Sequence, residues 1–276
     1  MLSKTLKSGT LKLARFLRPV LPHGVLASLA QWFTRYAHES DFEIFDRMVG
    51  TRGLVLDVGA CRGQSALSVL RRTKHMRVVS IEPNRTHRWA LMTIAMLHPL
   101  RFRFRLMAAG DTPGRATLHV PGKRTSGLSA QGSLDPAEFE KDYVQERLAK
   151  DGFDAMDKSA YRCMDVQVLP LDGLGLEPDM VKIDVEGFES QVLHGLQSTL
   201  HKRLPALLIE VNNKERWLPM LEDIGYAFYH YDASNRMLET AHHPGEKLNL
   251  FCVHPSSKTI ISRILLNNVK TIGPQS

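Results

Sequence analysis

Two short segments of this 276-residue chain carry ionisable groups where a strand pattern ordinarily holds apolar ones. In Val181-Lys182-Ile183-Asp184-Val185-Glu186-Gly187, strand alternation sets Val181, Ile183 and Val185 on one face and Lys182, Asp184 and Glu186 on the other. Three such groups on one face are costly to bury unless they pair or line a polar cleft. The alternative is a solvent-facing edge strand. Ile209-Glu210-Val211-Asn212 repeats the device, with Glu210 and Asn212 sharing a face at another strand end. Two strand ends carrying polar groups describe one site.

A third segment, Asp57-Val58-Gly59-Ala60-Cys61-Arg62-Gly63, closes an apolar run with glycines that allow a tight turn and close approach of backbone to a ligand. The spacing is not the G-x-G-x-x-G of a dinucleotide pyrophosphate site. The next β-rich run ends Ser80-Ile81-Glu82-Pro83-Asn84, and a carboxylate there can accept hydrogen bonds from both hydroxyls of a ribose. Gly59, Gly63 and Glu82 together describe a nucleoside site without a diphosphate. A nicotinamide-dependent oxidoreductase shares the acidic residue but needs the missing loop.

These groups must be positioned by strands alternating with helices. Leu54–Val58, Val78–Ile81, Phe102–Met107, Met180–Val185 and Ala206–Val211 read as strands, and Gln64–Arg72 and Thr86–Leu97 as helices. The pattern predicts an α/β domain with a Rossmann-like parallel sheet, helices on both faces and ligands at the carboxyl ends of the strands. Ser40 and Glu43 have the spacing of a capping box opening a helix that ends at Gly50. Residues 115–170 exceed what a minimal sheet needs. Within them Gly122–Gly132 reads as a mobile Gly/Ser-rich stretch, and Asp135-Pro136 as a capped helix start leading through Phe139, Tyr143 and Leu148. Such an insertion beside the strand ends is expected to be a lid or an acceptor pocket.

Asp57-Val58-Gly59-Ala60, Glu82-Pro83-Asn84, Leu171-Asp172, Lys182-Ile183-Asp184-Val185-Glu186-Gly187-Phe188-Glu189 with Gly195, and Ile209-Glu210-Val211-Asn212 together resemble the FkbM family of S-adenosylmethionine-dependent methyltransferases. The resemblance covers about residues 53–255, and the Lys-Ile-Asp-Val-Glu-Gly element is its most specific part. It implies a seven-stranded, mostly parallel sheet with one antiparallel strand, the last pair being Tyr226–Tyr231 and Asn249–Val253. It implies S-adenosylmethionine as cofactor, with Asp57, Gly59 and Gly63 around its methionine portion, Glu82 on the ribose with Asn84 beside it, and Asp111 by the adenine. Asp111-Thr112-Pro113-Gly114 is equally an ordinary turn signal. One departure is Cys61, where the family often has Asn.

The implied reaction is O-methylation of a hydroxyl on a small molecule, sugar or glycan. An alcohol needs its proton drawn away, and Asp184 and Glu186 are the candidate bases, with Lys182 holding one of them ionised. Glu186 also suits a helix start. Glu210 and Asn212 fall to the acceptor side or behind it. A divalent metal bridged by Asp184, Glu186 and Glu210 stays open, although no ligand spacing names one. The twelve histidines, among them His119, His242 and His243, are read mainly as surface or packing residues.

Net charge is +7, divided unevenly. Residues 1–38 hold six basic and no acidic side chains, residues 39–124 fifteen and seven, and residues 125–276 fifteen and twenty-two. Residues 2–18 have helical apolar spacing among lysines and arginines, compatible with a solvated helix, peripheral contact with an anionic membrane, or a targeting segment; a second apolar pattern spans 25–37. The expected organisation is a basic extension (1–38), a methyltransferase domain (39–255) and a C-terminal helix and tail (256–276). Arg101, Arg103 and Arg105 read as a solvated charged face, so no nucleic-acid partner is expected. Cys61, Cys163 and Cys252 form neither a disulfide framework nor a zinc spacing, and no apolar run is long enough to span a bilayer. The expectation is a cytoplasmic enzyme, with membrane association through residues 2–18 as one option; the non-enzymatic alternative is a degenerate methyltransferase domain serving as a membrane or protein-partner module.

Overall fold

A computed structural model describes residues 39–121, 132–150, 153–154, 157, 161–244 and 247–270. The predicted patterns within 1–38, the Gly/Ser-rich stretch before Gly132 and the tail 271–276 lie outside the described residues. In chain order the strands are β1 (Arg52–Val58), β2 (His75–Ile81), β3 (Phe102–Arg105), β4 (Ala108–Ala109), β5 (Gly114–Pro121), β6 (Tyr161–Leu169), β7 (Met180–Ile183), β8 (Ala206–Glu210), β9 (Ala227–Asp232), β10 (Met237–Thr240) and β11 (Asn249–Val253). The α-helices are α1 (Gln64–Arg72), α2 (Arg88–Leu97), α3 (Asp142–Lys150), α4 (Glu189–His194), α5 (Gln197–Lys202), α6 (Leu218–Ile224) and α7 (Ile260–Leu266).

The main sheet has the order β10-β9-β11-β8-β7-β1-β2-β3. Strands β8, β7, β1, β2 and β3 are parallel neighbours, whereas β11 runs antiparallel to both β8 and β9. This is the mostly parallel α/β sheet expected, with two corrections: among the described residues it has eight strands rather than seven, and two of them, β10 and β11, run against the rest, because β10 pairs antiparallel with β9. The turn before β10 is set locally, where Asp232 Oδ1 accepts from the Ser234 amide at 2.8 Å and the Asn235 amide at 3.3 Å. That Asx turn converts a segment read as loop into a hairpin.

Alternation along the strands builds a core on each face. Val55, Met180 and Leu208 join α1, α2 and α7 on one side, while Leu56, Val181, Ile183 and Ile209 join α4, α5 and α6 on the other. Strand β7 lies between β8 and β1, which removes the edge-strand reading of Lys182. The predicted strand to Val185 stops at Ile183, because Glu186 (φ 51°) and Gly187 (φ 99°) turn the chain left-handed.

Residues Ser40–Met48 form a 3-10 helix rather than the predicted capped α-helix. Its entry is held from a distance: Asn249 Nδ2 donates to Glu39 Oε2 at 2.6 Å and to Asp41 Oδ2 at 2.9 Å. Within the insertion, β5 and β6 form an antiparallel pair that joins β4 in a separate three-stranded sheet. Asp135 caps the helix start as predicted, its Oδ1 accepting from the Ala137 amide at 3.0 Å, but the single helix expected through Leu148 is broken at an extended Lys141 into the 3-10 helix Pro136–Glu140 and α3.

Candidate active site

A cavity of about 300 Å³ opens at the carboxyl ends of β1, β2, β7 and β8, where a parallel sheet places its ligand. Of the residues singled out from sequence, Gly59, Glu82, Asn84, Lys182, Asp184, Glu186 and Glu210 line it. Asp57, Gly63, Asp111 and Asn212 are not among its lining residues. Asp57 is buried, with its oxygens accepting from the Ser65 hydroxyl at 2.7 Å and the Ser80 hydroxyl at 2.8 Å. Asp111 is exposed at the turn before β5 and accepts from the Thr112 hydroxyl.

The β1 turn is shaped by backbone. Gly59 has φ 80° and its amide donates to Ile81 O at 3.0 Å; Gly63, φ 85°, caps α1. Glu82, at the end of β2, ties that turn to its own: Oε2 accepts from the Cys61 amide and Oε1 from the Asn84 amide, both at 2.7 Å. His87 Nδ1 stands 3.3 Å from Oε1. A carboxylate offers about four acceptor positions, so Glu82 keeps room on Oε2 for one further strong hydrogen bond. Asn84 has a structural duty as well, its Oδ1 accepting from the Thr86 amide at 3.1 Å to cap the turn into α2.

His87 was not foreseen from sequence; its only signal is its place one turn beyond Glu82. Burial alone would lower its pKa, but hydrogen bonds to Cys61 and Glu82, with the charge of Glu82, raise it to about 9. The imidazolium thus neutralises Glu82. Since the folded value lies above the unfolded one, this contribution to stability is complete below about pH 6.5 and is lost as pH rises through about 9.

Opposite this wall, Lys182 Nζ donates to Asp184 Oδ2 at 2.9 Å and to Gly59 O at 3.3 Å, and lies 3.8 Å from Asp57 Oδ1. Burial would depress the lysine, yet the charges of Asp184 and Asp57 outweigh it and hold Lys182 above the ordinary range. Glu210 is pushed far above the usual carboxylate range by burial, then by the charges of Asp184 and Glu186, and it is hydrogen-bonded to Asp184. The Asp184–Glu210 pair therefore shares a proton at neutral pH, and Asn212 Nδ2 donates to Glu210 Oε2 at 2.8 Å.

One oxygen from each of Asp184, Glu186 and Glu210 lies within 4.8 Å of the others. The ammonium of Lys182 and the amide of Asn212 already serve two of these groups, so a metal is not supported. Beneath the turn, Glu189 is fully buried and its Oε1 accepts from the Val185 and Gly187 amides at 3.4 and 3.2 Å. Burial raises its pKa to about 7 against hydrogen bonds from its own amide and those of Gly187 and Val185, the charge of Asp184 adding to the rise.

The insertion reaches the same place. Leu118 and Leu134 line the cavity, and the Ser133 hydroxyl donates to Glu186 O at 2.7 Å. Lys141 Nζ bridges Glu138 Oε2 at 2.7 Å and Asn213 Oδ1 at 2.6 Å, with the Glu138 carboxylate packed against Gly187. The strained Glu186-Gly187 turn is thus clamped from outside the main sheet.

A Rossmann-like sheet with a ribose-type carboxylate and no diphosphate loop defines the class of nucleoside-cofactor methyltransferases. Within it, the Methyltransferase FkbM domain model matches residues 57–230, and the chain belongs to that family. No curated protein shows significant similarity to the chain. Among solved structures, methyltransferase FkbM from Methylobacillus flagellatus is 15% identical, with 88% of this chain and 57% of that chain covered and a TM-score of 0.44. An O-methyltransferase family protein from Burkholderia thailandensis is 15% identical over 93% of this chain and 61% of that one, with a TM-score of 0.37. TrmK from M. capricolum, in complex with S-adenosyl-homocysteine, is 9% identical over 87% and 74%, also at 0.37. The chain thus spans less than two thirds of the first two, and family membership rests on the sequence match.

The lining chemistry fits a cationic nucleoside cofactor. Glu82, Asp184, Glu186 and Glu210 face the cavity against the ammonium of Lys182 and the Glu82-bound His87, a balance that suits a sulfonium and opposes a diphosphate. Replacing Glu82 by Ala is expected to weaken binding of S-adenosylmethionine or its demethylated product by roughly tenfold to a hundredfold, from one lost hydrogen bond to a charged acceptor at about 1.5–3 kcal/mol. Titration calorimetry checks this, and unchanged affinity would remove Glu82 from the ribose.

Proposed function

We propose that the chain is an S-adenosylmethionine-dependent O-methyltransferase acting on a hydroxyl of a small molecule, sugar or glycan. The observation that carries the reading is a carboxylate, Asp184, held at the cavity mouth by the ammonium of Lys182 at 2.9 Å. Gly59, Glu82 and Asn84 would hold the cofactor, with Ala108 and Ala109 as an apolar wall. When bound, the cofactor supplies an electrophilic methyl group on a sulfonium.

In this reading Asp184 accepts the acceptor's hydroxyl proton, because it is the cavity-lining carboxylate that the Lys182 ammonium holds in place. Lys182 positions Asp184 and balances its charge. The proton shared between Glu210 and Asp184 limits the negative charge gathered beside Glu186. Leu118 and Leu134 of the insertion exclude water from the acceptor side. We also propose that residues 39–255 carry this chemistry apart from the basic extension 1–38, and that residues 2–18 make peripheral membrane contact. No helix among the described residues is long and apolar enough to cross a membrane.

The test is incubation of the protein with isotope-labelled cofactor and lysate metabolites or glycans, with mass spectrometry locating the label. Label on oxygen supports the reading, and label on nitrogen or carbon, or no transfer, overturns it. Asp184→Asn is expected to lower turnover by about a hundredfold or more while leaving cofactor affinity within a few fold; an active variant would take Asp184 out of proton transfer.

A further inference from the structure

The far edge of the main sheet has a surface unlike the rest of the domain. Between Asp57 and Asp111 the chain holds ten Lys and Arg residues and a single carboxylate, Glu82, and that one is buried. No acid from this stretch therefore reaches its surface. The stretch also carries four of the seven exposed large apolar side chains among the described residues: Trp89, Met96, Leu97 and Leu100, with Met96 69% and Leu100 86% exposed.

These groups are arranged together. Trp89 and Met96 are seven residues apart on α2, hence on one face two turns apart; Leu97 is the last residue of the helix and Leu100 follows just beyond it. The Arg88 guanidinium lies 5.9 Å from the Trp89 ring centroid, a cation stacked on an aromatic. At the other end of α2, burial and the nearby charges of Arg101 and Arg71 keep His98 below its ordinary value, which places Arg71 of α1 beside that end. Arg85, Lys74 and Arg103 are exposed, with the Asp165 carboxylate of β6 near enough to Arg85 to feel its charge.

Arg101, by contrast, is an internal staple. Its guanidinium donates to Met76 O at 2.9 Å, Leu70 O at 3.0 Å and Thr73 O at 2.8 Å. The basic run of β3 is therefore partly structural and not a continuous track for a phosphate backbone.

We propose that this α2–β3 edge docks on an anionic membrane surface, with Trp89, Met96 and Leu100 entering the bilayer interface and Arg85, Arg88 and Lys74 facing lipid phosphates. Charge complementarity selects the occupant. A second copy would bring like charge against like charge. A nucleic acid would satisfy the cations but leave a Met/Leu ridge against a polar groove. A bilayer interface takes both, since tryptophan suits the boundary, lysine and arginine are drawn to acidic headgroups, and the aliphatic tips gain burial. The extension 1–38 has the same sign of charge, so the two would reinforce one another on one surface.

The experiment is co-sedimentation of the full chain with vesicles of phosphatidylcholine, with and without about 30% phosphatidylserine, at physiological salt. Binding is expected only to the anionic vesicles. The triple variant Trp89→Ser, Met96→Ser, Leu100→Ser, all exposed positions away from the cavity, is expected to lower partitioning about tenfold or more with unchanged melting temperature and cofactor affinity. In a Trp32→Phe background, brominated lipid should quench Trp89 while the buried Trp217 stays bright. A full-chain Lys4→Glu, Lys7→Glu, Lys12→Glu variant isolates the terminal segment. The proposal is overturned if wild type ignores anionic vesicles, if the triple variant binds like wild type, if only the terminal variant loses binding, or if the triple variant instead loses self-association or binding to a duplex oligonucleotide.

Discussion

A Gly59→Ala variant is expected to lose the architecture of the site, with stability reduced by about 4 kcal/mol or more and cofactor binding no longer measurable. Glycine at this position has φ 80°, and a Cβ built on it would stand 1.6 Å from the Asp184 carbonyl oxygen and 2.7 Å from its carbonyl carbon. Both obstacles are backbone and cannot rotate away. Relief requires β1 and β7 to separate at their carboxyl ends, where Val58 pairs with Ile183 and the Asp184 amide donates to Val58 O at 3.1 Å. The same movement would pull Gly59 O from Lys182. Gly63 provides the control. Its φ of 85° is as demanding, but a Cβ there meets the tip of Ile94, 2.3 Å from Cδ1, and a flexible side chain can turn aside. Gly63→Ala should therefore lose only about 1–2 kcal/mol, mostly conformational strain. Thermal melts read the difference, at about 2–4 °C per kcal/mol for a domain of this size. Equal losses in the two variants would mean that backbone conformation rather than the β1–β7 contact sets the requirement.

Much of this arrangement could be read from the chain because it is locally encoded. The apolar run and left-handed glycines around Asp57–Gly63 mark the end of β1 and the start of α1, and Gln64–Arg72 and Asn249–Val253 have the bounds their patterns predicted. Lys182 and Asp184 were visible for a physical reason: central parallel strands leave no room for unpaired charge, so a polar face there must line a site. What stayed hidden depends on partners distant in sequence. Glu39 lines the cavity because Asn249, 210 residues away, anchors it. The clamp on Glu186 comes from Ser133 and Glu138, whose spacing carries no sign of the turn they meet. Asp57 looked like a ligand-facing group by analogy, whereas Ser65, Ser80 and Lys182 hold it behind the cavity wall. The eighth strand escaped notice because β10 is only four residues long and its alternation is weak.

Removing the cation that binds these carboxylates together should have the second large effect. Lys182→Met keeps most of the side-chain volume and deletes the charge, leaving Asp57, Asp184, Glu186 and Glu210 with no ammonium among them. Breaking a buried ion pair by removing one partner typically loses about 3–5 kcal/mol, since the remaining charge stays desolvated. A fall of roughly 10 °C in melting temperature follows at neutral pH. The pH dependence gives the sign. The lost charge–charge attraction acts only while the carboxylates are ionised, so the deficit relative to wild type should narrow as pH falls and they take up protons. Glu189 moves in the same direction in both proteins: its pKa, raised to about 7, makes the folded state bind a proton more readily than the unfolded one, so stability declines as pH rises from about 4.5 through 7. The comparison of wild type with variant cancels that common slope. A Lys182→Arg variant, which keeps the charge on a bulkier head, should recover part of the stability while leaving Asp184 misplaced and turnover low. Melting curves for the three proteins between about pH 5 and 8 separate the cases. A Met variant whose deficit is constant with pH would show that Lys182 acts by packing, and its ionic role in setting Asp184 would have to be given up.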